Sequence, residues 1–206
     1  MTSILAIDTA SERFAVALQG DGGTVRAMEG DVGREHSRQL VEAIRVIAGD
    51  ELGSLTAILV TTGPGSYAGL RVGIATAEGL ALARGIPVYG VGTLEAAAAA
   101  GPAEGRWSIV HPIGRGDFAV QEWEDGEAQG ELRVVAASDL TAERTRGEGA
   151  GSAGGTELGP KDRVLAALRL RHGAIQDGTA SAGAEAFYIR EPHITRPKRA
   201  TMAPGT

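Results

Sequence analysis

Asp8 ends the apolar run Ser3–Ile7 and is followed by Thr9, Ala10 and Ser11. A carboxylate at the end of a buried strand is well placed to hold a phosphate or a metal ion. A phosphate-binding turn, however, wants bare glycine backbone beside the aspartate, and Ala10 and Ser11 stand there instead. The plainer reading is a structural turn in which Asp8 bonds local backbone amides. Two-metal hydrolysis would need carboxylates from several elements. Glu42 lies in the first helix, but the strand ending at Val60 runs into Thr61 and Thr62, where a third carboxylate is wanted. A nuclease is thereby disfavoured. The four histidines, His36, His111, His172 and His193, are scattered. A helical metal pair needs ligands at i and i+4, and the residue four on from His36 is Leu40. No metal is expected. Neither Ser66 nor Ser181 sits in a G-x-S-x-G elbow or beside an Asp–His pair, so no catalytic residue is assigned.

The densest signal is Thr62–Ala83, TGPGSYAGLRVGIATAEGLALA. A strand, Ala57–Val60, enters a loop holding Gly63, Pro64, Gly65, Ser66 and Tyr67, and a helix of small residues follows. Glycine loops serve where backbone approaches something closely, either a ligand or another part of the fold. Both readings stand. The ligand or close-contact candidates are Asp8, Thr9, Ser11, Gly63, Pro64, Gly65, Ser66, Tyr67 and Arg71.

Around these residues the apolar periodicity predicts strands at Ser3–Ile7, Phe14–Leu18 and Thr24–Met28, with a hairpin signal at Asp21–Gly22–Gly23. Helices follow at Glu35–Ala48, Leu70–Arg84 and from Thr93 to Ala100, with a strand at Ile86–Val91 before the last. A meander followed by alternating helix and strand makes a mixed sheet covered by helices. That is an α/β, ribonuclease-H-like half of the actin-like, two-lobed architecture. The remainder reads as a shortened second lobe. Strands are expected at Trp107–Pro112, Phe118–Trp123 and Leu132–Val135, and a loop at Gly147–Gly159. A helix through Val164, Leu165, Leu168 and Leu170 is capped by Gly173, and a last strand is expected at Phe187–Ile189. The expected divisions are a lobe at 1–103, a smaller lobe at 104–191 and a polar tail at 192–206.

Composition narrows the function. The chain of 206 residues has 20 Lys and Arg against 26 Asp and Glu, a formal charge of −6. An autonomous nucleic-acid binder normally shows a basic face; work on RNA beside a basic partner is compatible. There is no cysteine, which excludes disulfides, zinc–thiolate sites and thiol nucleophiles. No apolar run approaches the ~20 residues that span a bilayer, and the start MTSILAIDTA lacks a signal peptide's features. A cytoplasmic protein without membrane contact is expected. The 31 glycines are about twice the usual ~7% share, which favours close backbone packing. Leu70, Ile74, Ala77 and Ala81 share one side of the helix at 70–84, which reads either as core or, with Leu40 and Ile44, as an exposed seam; the seam is the expectation taken, with the helices at 35–48 and 70–84 pairing to expose His36, Leu40, Ile44, Gly73, Ile74 and Ala77.

The segments ILAIDTASERFAVAL, REHSRQL and TTGPGSYAGLRVGIATAEGLALARGIPVYGVGTLEA, and more weakly AFYIREPHIT, resemble the bacterial TsaB (YeaZ) family. The likeness covers nearly all of residues 3–100 and is patchy beyond. It implies an actin-like fold and a part in making threonylcarbamoyladenosine next to the anticodon of tRNA. The implied part is that of a non-catalytic partner of the catalytic relative TsaD, with the ATPase TsaE joining them and tRNA met through the complex. The seam would meet matching helices of TsaD, or a second copy of the chain in a homodimer. The isolated chain is then expected to bind no cofactor, with ATP or ADP held at the joint surface with the partner. Tyr67-Ala68 stands where many members have Phe-Thr, and Pro112-Ile113-Gly114 lacks an acidic residue common there. The competing class is an active kinase or M22-type peptidase of the same fold.

Overall fold

The computed structural model describes residues 2–31, 36–141 and 143–189, the side chain of His36 excepted. The expected tail at 192–206 and Glu35, the expected start of the first helix, lie outside them. Strands β1 (Ile4–Asp8), β2 (Arg13–Gln19) and β3 (Val25–Asp31) form an antiparallel meander. The β2–β3 hairpin turns through Gly23 at φ +76°, and the Gly20 amide donates to Thr24 O at 2.9 Å. Helix α1 (His36–Ala48), β4 (Ala57–Thr61), α2 (Tyr67–Arg84) and β5 (Val88–Val91) follow. β4 runs parallel to β1 and β5 parallel to β4, giving the order β3-β2-β1-β4-β5.

Alternation along these strands divides the sheet. Leu5, Ile7, Phe14, Val16, Leu18, Ile58 and Val60 face α1 and α2. The other face carries Ala6, Ala15, Ala17 and Ala57 beside Ile4 and Leu59, and receives Val164 and Leu168. Those two come from α4 (Pro160–Gln176), which lies close because the face beneath it is mostly alanine.

The seam expected on α1 and α2 is overturned. Leu40 and Ala77 are 0% exposed, Ile44 2% and Ile74 9%. A 3.6-residue period marks an apolar face but not what covers it; here the protein's own sheet does. Gly73 also serves the fold, since a Cβ there would overlap Thr9 Oγ1. The bare backbone lets α2 pass the turn after β1. The side chain of His36, also assigned to the seam, lies outside the described residues.

Helix α3 (Thr93–Ala99) leads into a second sheet of β6 (Arg106–Pro112), β7 (Asp117–Glu124), β8 (Glu127–Ala136), β9 (Thr145–Gly147) and β10 (Thr156–Glu157). Its order is β10-β9-β6-β7-β8, with an antiparallel β6–β7–β8 meander and β9 parallel to β6. This repeats the first sheet strand for strand, so the molecule is an actin-like, two-lobed α/β fold. The second lobe is shortened at definite places. Short 3-10 turns at Ala137–Asp139 and Ala150–Ala153 stand where the first lobe has α1 and α2. Between the sheets α3 packs on α4, with Val91, Ala96 and Ala167 in contact and Arg171 bonded to Glu95 at 2.8 Å.

Several boundaries differ from expectation. α2 starts at Tyr67, not Leu70, because the Ser66 side chain caps it by accepting from the Gly69 amide at 3.3 Å. The N-cap of α3 is Gly92, whose amide donates to Glu95, rather than Thr93. The stretch Gly147–Gly159 is not all loop, since β10 and a 3-10 turn lie within it. α4 runs through Gly173 and stops at Asp177, before Gly178 at φ +69°. Phe187–Ile189 is no strand. That segment is tied to the first sheet by Gly183 N to Val88 O and Phe187 N to Thr62 O, each 2.7 Å.

Candidate functional site

The loops that leave the carboxyl ends of β1, β4, β6 and β9 meet at the joint between the lobes. They line a cleft of about 850 Å³ with Ser11, Gly65, Ser66, Tyr67, Arg115 and Glu148 among its walls. In open α/β sheets that end of the strands is where ligands sit.

Beneath the cleft, and reaching its wall through Glu148, lies an ionic network closed upon itself. Asp8 and Arg163 are each 0% exposed and pair in two places: Nε to Oδ2 at 2.7 Å and Nη2 to Oδ1 at 3.2 Å. Arg163 Nη1 donates to Glu148 Oε2 at 2.8 Å. Asp8 Oδ1 also accepts from the Ala10 amide at 2.9 Å, which is the local turn bond read from the sequence. Burial alone would lower the Arg163 pKa; the carboxylates of Asp8 and then Glu148 outweigh it and hold the guanidinium above its ordinary value. Asp8 belongs to the first lobe's central strand, Glu148 to the second lobe, and Arg163 to α4. The cation that Asp8 requires is thus supplied by the chain itself.

A second link runs parallel to the first. His111, on the second lobe's central strand, is 1% exposed and lies with Nε2 3.1 Å from Ala10 O. For that carbonyl to accept, Nε2 carries the hydrogen. Nδ1 is then a lone pair 3.8 Å from Glu148 Oε2, with no hydrogen-bond partner among the described residues. Burial, with the nearby Arg163 charge, pushes the His111 pKa down from 6.5 to about 3. The imidazole is therefore neutral in the folded protein. On acidification the unfolded chain takes up this proton near pH 6.5, and the folded chain only near pH 3. Stability from this group is complete above about pH 6.5 and is lost as pH falls towards 3, at up to roughly 1.4 kcal/mol per pH unit. His111→Gln should flatten the melting temperature against pH between 6.5 and 4 relative to the parent chain. An unchanged slope in thermal unfolding would refute the assignment.

The glycine loop after β4 is a close-packing device at two of its positions. A Cβ on Gly65 would overlap Ala10 O, which already accepts from the Ser66 amide at 2.6 Å. Gly63, at φ +115°, would collide with Phe187 O if it carried a side chain. Thr9 is 0% exposed and donates through Oγ1 to Gly69 O at 2.8 Å. Ser11 bonds its own loop at Arg13 O, 3.1 Å away. Pro64, like Gly63, is buried; Ser66, Tyr67 and Ser11 reach the cleft, and Arg71 stands beside it with Nη1 2.8 Å from Tyr67 Oη. The candidates thus gather in one region, and of the two readings of the loop close packing has direct support. Arg163, Glu148 and His111 were missed as a set. Nothing local in the sequence marks them, because Asp8 and Arg163 are 155 positions apart.

The outward surface of α1 and α2 is distinct from the cleft. Val41 (53% exposed) and Val46 (58%) project from α1 and Leu82 (86%) from α2. Ala75, Gly79 and Ala83 are also exposed on α2, and a Cβ on Gly79 would meet nothing within 4 Å.

Comparison with known proteins agrees with this architecture. The family model of TsaD, tRNA N6-adenosine threonylcarbamoyltransferase, matches residues 29–113. The chain is 45% identical over 94 residues to the Escherichia coli (strain K12) tRNA threonylcarbamoyladenosine biosynthesis protein TsaB, a match covering 44% of this chain and 40% of that protein. With the Bacillus subtilis (strain 168) protein of the same name it shares 33% identity over 102 residues, covering 48% and 44%. The matched stretches thus span less than half the length of these curated relatives. YeaZ from Pseudomonas aeruginosa superposes with a TM-score of 0.72 at 22% identity, over 92% of this chain and all of that one, and so shares its fold. On these matches the N-terminal half of the chain resembles TsaB and TsaD proteins in sequence, and its architecture is the fold of YeaZ.

Proposed function

We propose that the protein is a non-catalytic subunit required for threonylcarbamoyl transfer to the adenosine next to the anticodon of tRNA. It binds and activates a TsaD homologue, with a TsaE homologue completing the assembly, and works in the cytoplasm. The observation that carries this reading is the Asp8–Arg163–Glu148 network. The carboxylate that this architecture places at the cleft is consumed by an internal cation, so it is not offered to a metal or a phosphate. The family resemblance and the relatives' names support the pathway. The outward face of α1 and α2, rather than the buried residues first assigned, is the docking surface, and a second copy of the chain competes for it. None of the described helices is long and apolar enough to cross a membrane.

The test is replacement. In cells depleted of their own TsaB, this chain should restore threonylcarbamoyladenosine in digested tRNA, read by mass spectrometry, and should co-purify with TsaD. Failure of both would end the proposal. The isolated chain should bind ATP or ADP weakly or not at all, the nucleotide being held at the joint surface once the partner is present. Calorimetry giving a sub-micromolar dissociation constant for the lone chain would contradict this.

A further inference from the structure

The walls of the cleft are held in very different ways. The lobes are tied through buried groups: the Asp8–Arg163–Glu148 network, the His111 contact with Ala10 O, and α3 packed on α4. Residues 181–189 follow α4, meet the outer edge of β5 at Tyr89 and end at the cleft, where Tyr188 and Ile189 complete the lining. The chain just before them is anchored, since the Thr179 and Ala180 amides donate to Ala174 O in α4 at 2.9 and 3.0 Å. Beyond that anchor the hold is slight. Three backbone bonds seat the segment: Gly183 N to Val88 O, Gly90 N to Gly183 O and Phe187 N to Thr62 O, each 2.7 Å. The Tyr188 ring meets Tyr67 at 4.8 Å between centroids, tilted by 45°. Ile189, half-buried, rests on the second lobe's apolar cluster. None of the nine residues is buried, and Phe187 is 51% exposed. Among the described residues no side chain of the segment makes a hydrogen bond or an ion pair.

The first sheet nevertheless leaves a defined seat. A Cβ on Gly63 would overlap Phe187 O, and one on Gly90 would lie 3.2 Å from Gly183 O. Gly183 itself sits at φ +136°, where other residues are strained. Ala184 and Ala186 pack against the main core, but they are small, so lifting them exposes little apolar surface. A segment with a fixed seat, few bonds and little burial opens locally at far less cost than the whole fold.

We propose that residues 181–189 are a strap that lifts from the first sheet as a unit, beyond the anchor at Ala180, while the lobes stay tied. Access to the cleft then changes through the strap and not through rotation of the lobes. Lifting takes Tyr188 and Ile189 out of the cleft wall, bares the Tyr67 ring and frees Thr62 O. The motion belongs to the isolated chain and does not depend on the tRNA-modification reading.

The test is native-state hydrogen exchange of the full chain, followed by NMR. The amides of Gly183, Phe187 and Gly90 should share one protection factor and exchange about a hundredfold faster or more than the amides of β1. The Thr62 amide donates to Val91 O at 2.9 Å, away from the strap, and should stay with the slow group. Arg163 Nε–H, bonded to Asp8, reports on the lobes and should stay slow as well. Gly183→Ala meets nothing within 4 Å but strains the seated backbone. It should speed the three strap amides about tenfold and leave β1 exchange and the melting temperature unchanged. Strap amides that exchange only with the slow group overturn the proposal, because the strap is then part of the core. Arg163 Nε–H exchanging in step with them also overturns it, because the lobes then move. So does a Gly183→Ala chain whose strap amides keep the parental rate, or one in which β1 speeds up equally.

Discussion

Leu82→Glu should leave the protein folded and abolish its stable complex with the TsaD homologue. Leu82 is 86% exposed, so the substitution removes almost no internal contact, and surface changes of this kind usually stay within about 0.5 kcal/mol of the parent stability. If the outward face of α1 and α2 is the docking surface, the new carboxylate is buried against an apolar partner. Central hot-spot side chains are worth ~2 kcal/mol or more, and about thirtyfold or greater weakening follows. Gly79→Arg tests the same surface by bulk: its missing Cβ faces open space in the free chain, and a long side chain there holds a second helix away. A charge at Ala77 would not test this surface, because Ala77 lies on the inner side of α2 at 0% exposure and a buried charge there would unfold the chain. Calorimetric titration of each variant into the TsaD homologue, paired with thermal unfolding, separates the cases. A Leu82→Glu chain that melts like the parent and binds with parental affinity would remove this face from the assembly.

The misplacement of the seam shows which parts of this molecule are local. The first sheet was legible because its signals are short-range: the continuous apolar run of β1, the alternation in β2, the turn at Gly23, and the 3.6-residue period of α1. Leu40 and Ile44 were correctly read as the apolar side of their helix. Whether sheet or partner covered that side is a tertiary fact, which the period does not contain. α2 misled differently, since a helix of alanine and glycine has small residues on both sides. Its inner side (Gly73, Ala77) and its outer side (Ala75, Gly79) look alike until burial is known. The second lobe was harder because its two covering helices are replaced by 3-10 turns, which have no period to read. Of the network beneath the cleft only Asp8 was visible. His111 was counted as one of several scattered histidines, and Arg163 looked like an ordinary charge near the start of an amphipathic helix. Topology made them neighbours: both sheets deliver their central strands to the same joint, and α4 folds back across the alanine face of the first.

Arg163→Met should destabilise the protein by about 3–5 kcal/mol, the usual result of removing one partner from a buried ion pair. Methionine fills much of the arginine's volume, so the loss comes chiefly from the Asp8 carboxylate, left without its cation at 0% exposure and with the Ala10 amide as its remaining donor among the described residues. Asp8→Asn in the same chain should recover a large part of that loss, because a neutral amide costs far less to bury than an uncompensated carboxylate. The single variant Asp8→Asn should fall between, since Glu148 remains to pair with the guanidinium. Denaturant unfolding of the three variants closes a double-mutant cycle, and the coupling energy should be large and favourable. The cycle also bears on function. Lobes tied together beneath the cleft by the chain's own Asp8–Arg163–Glu148 network are in keeping with the proposal that the isolated chain binds nucleotide weakly or not at all. If Arg163→Met proves as stable as the parent, the network holds nothing, and Asp8 would again be free to serve as a ligand-binding carboxylate.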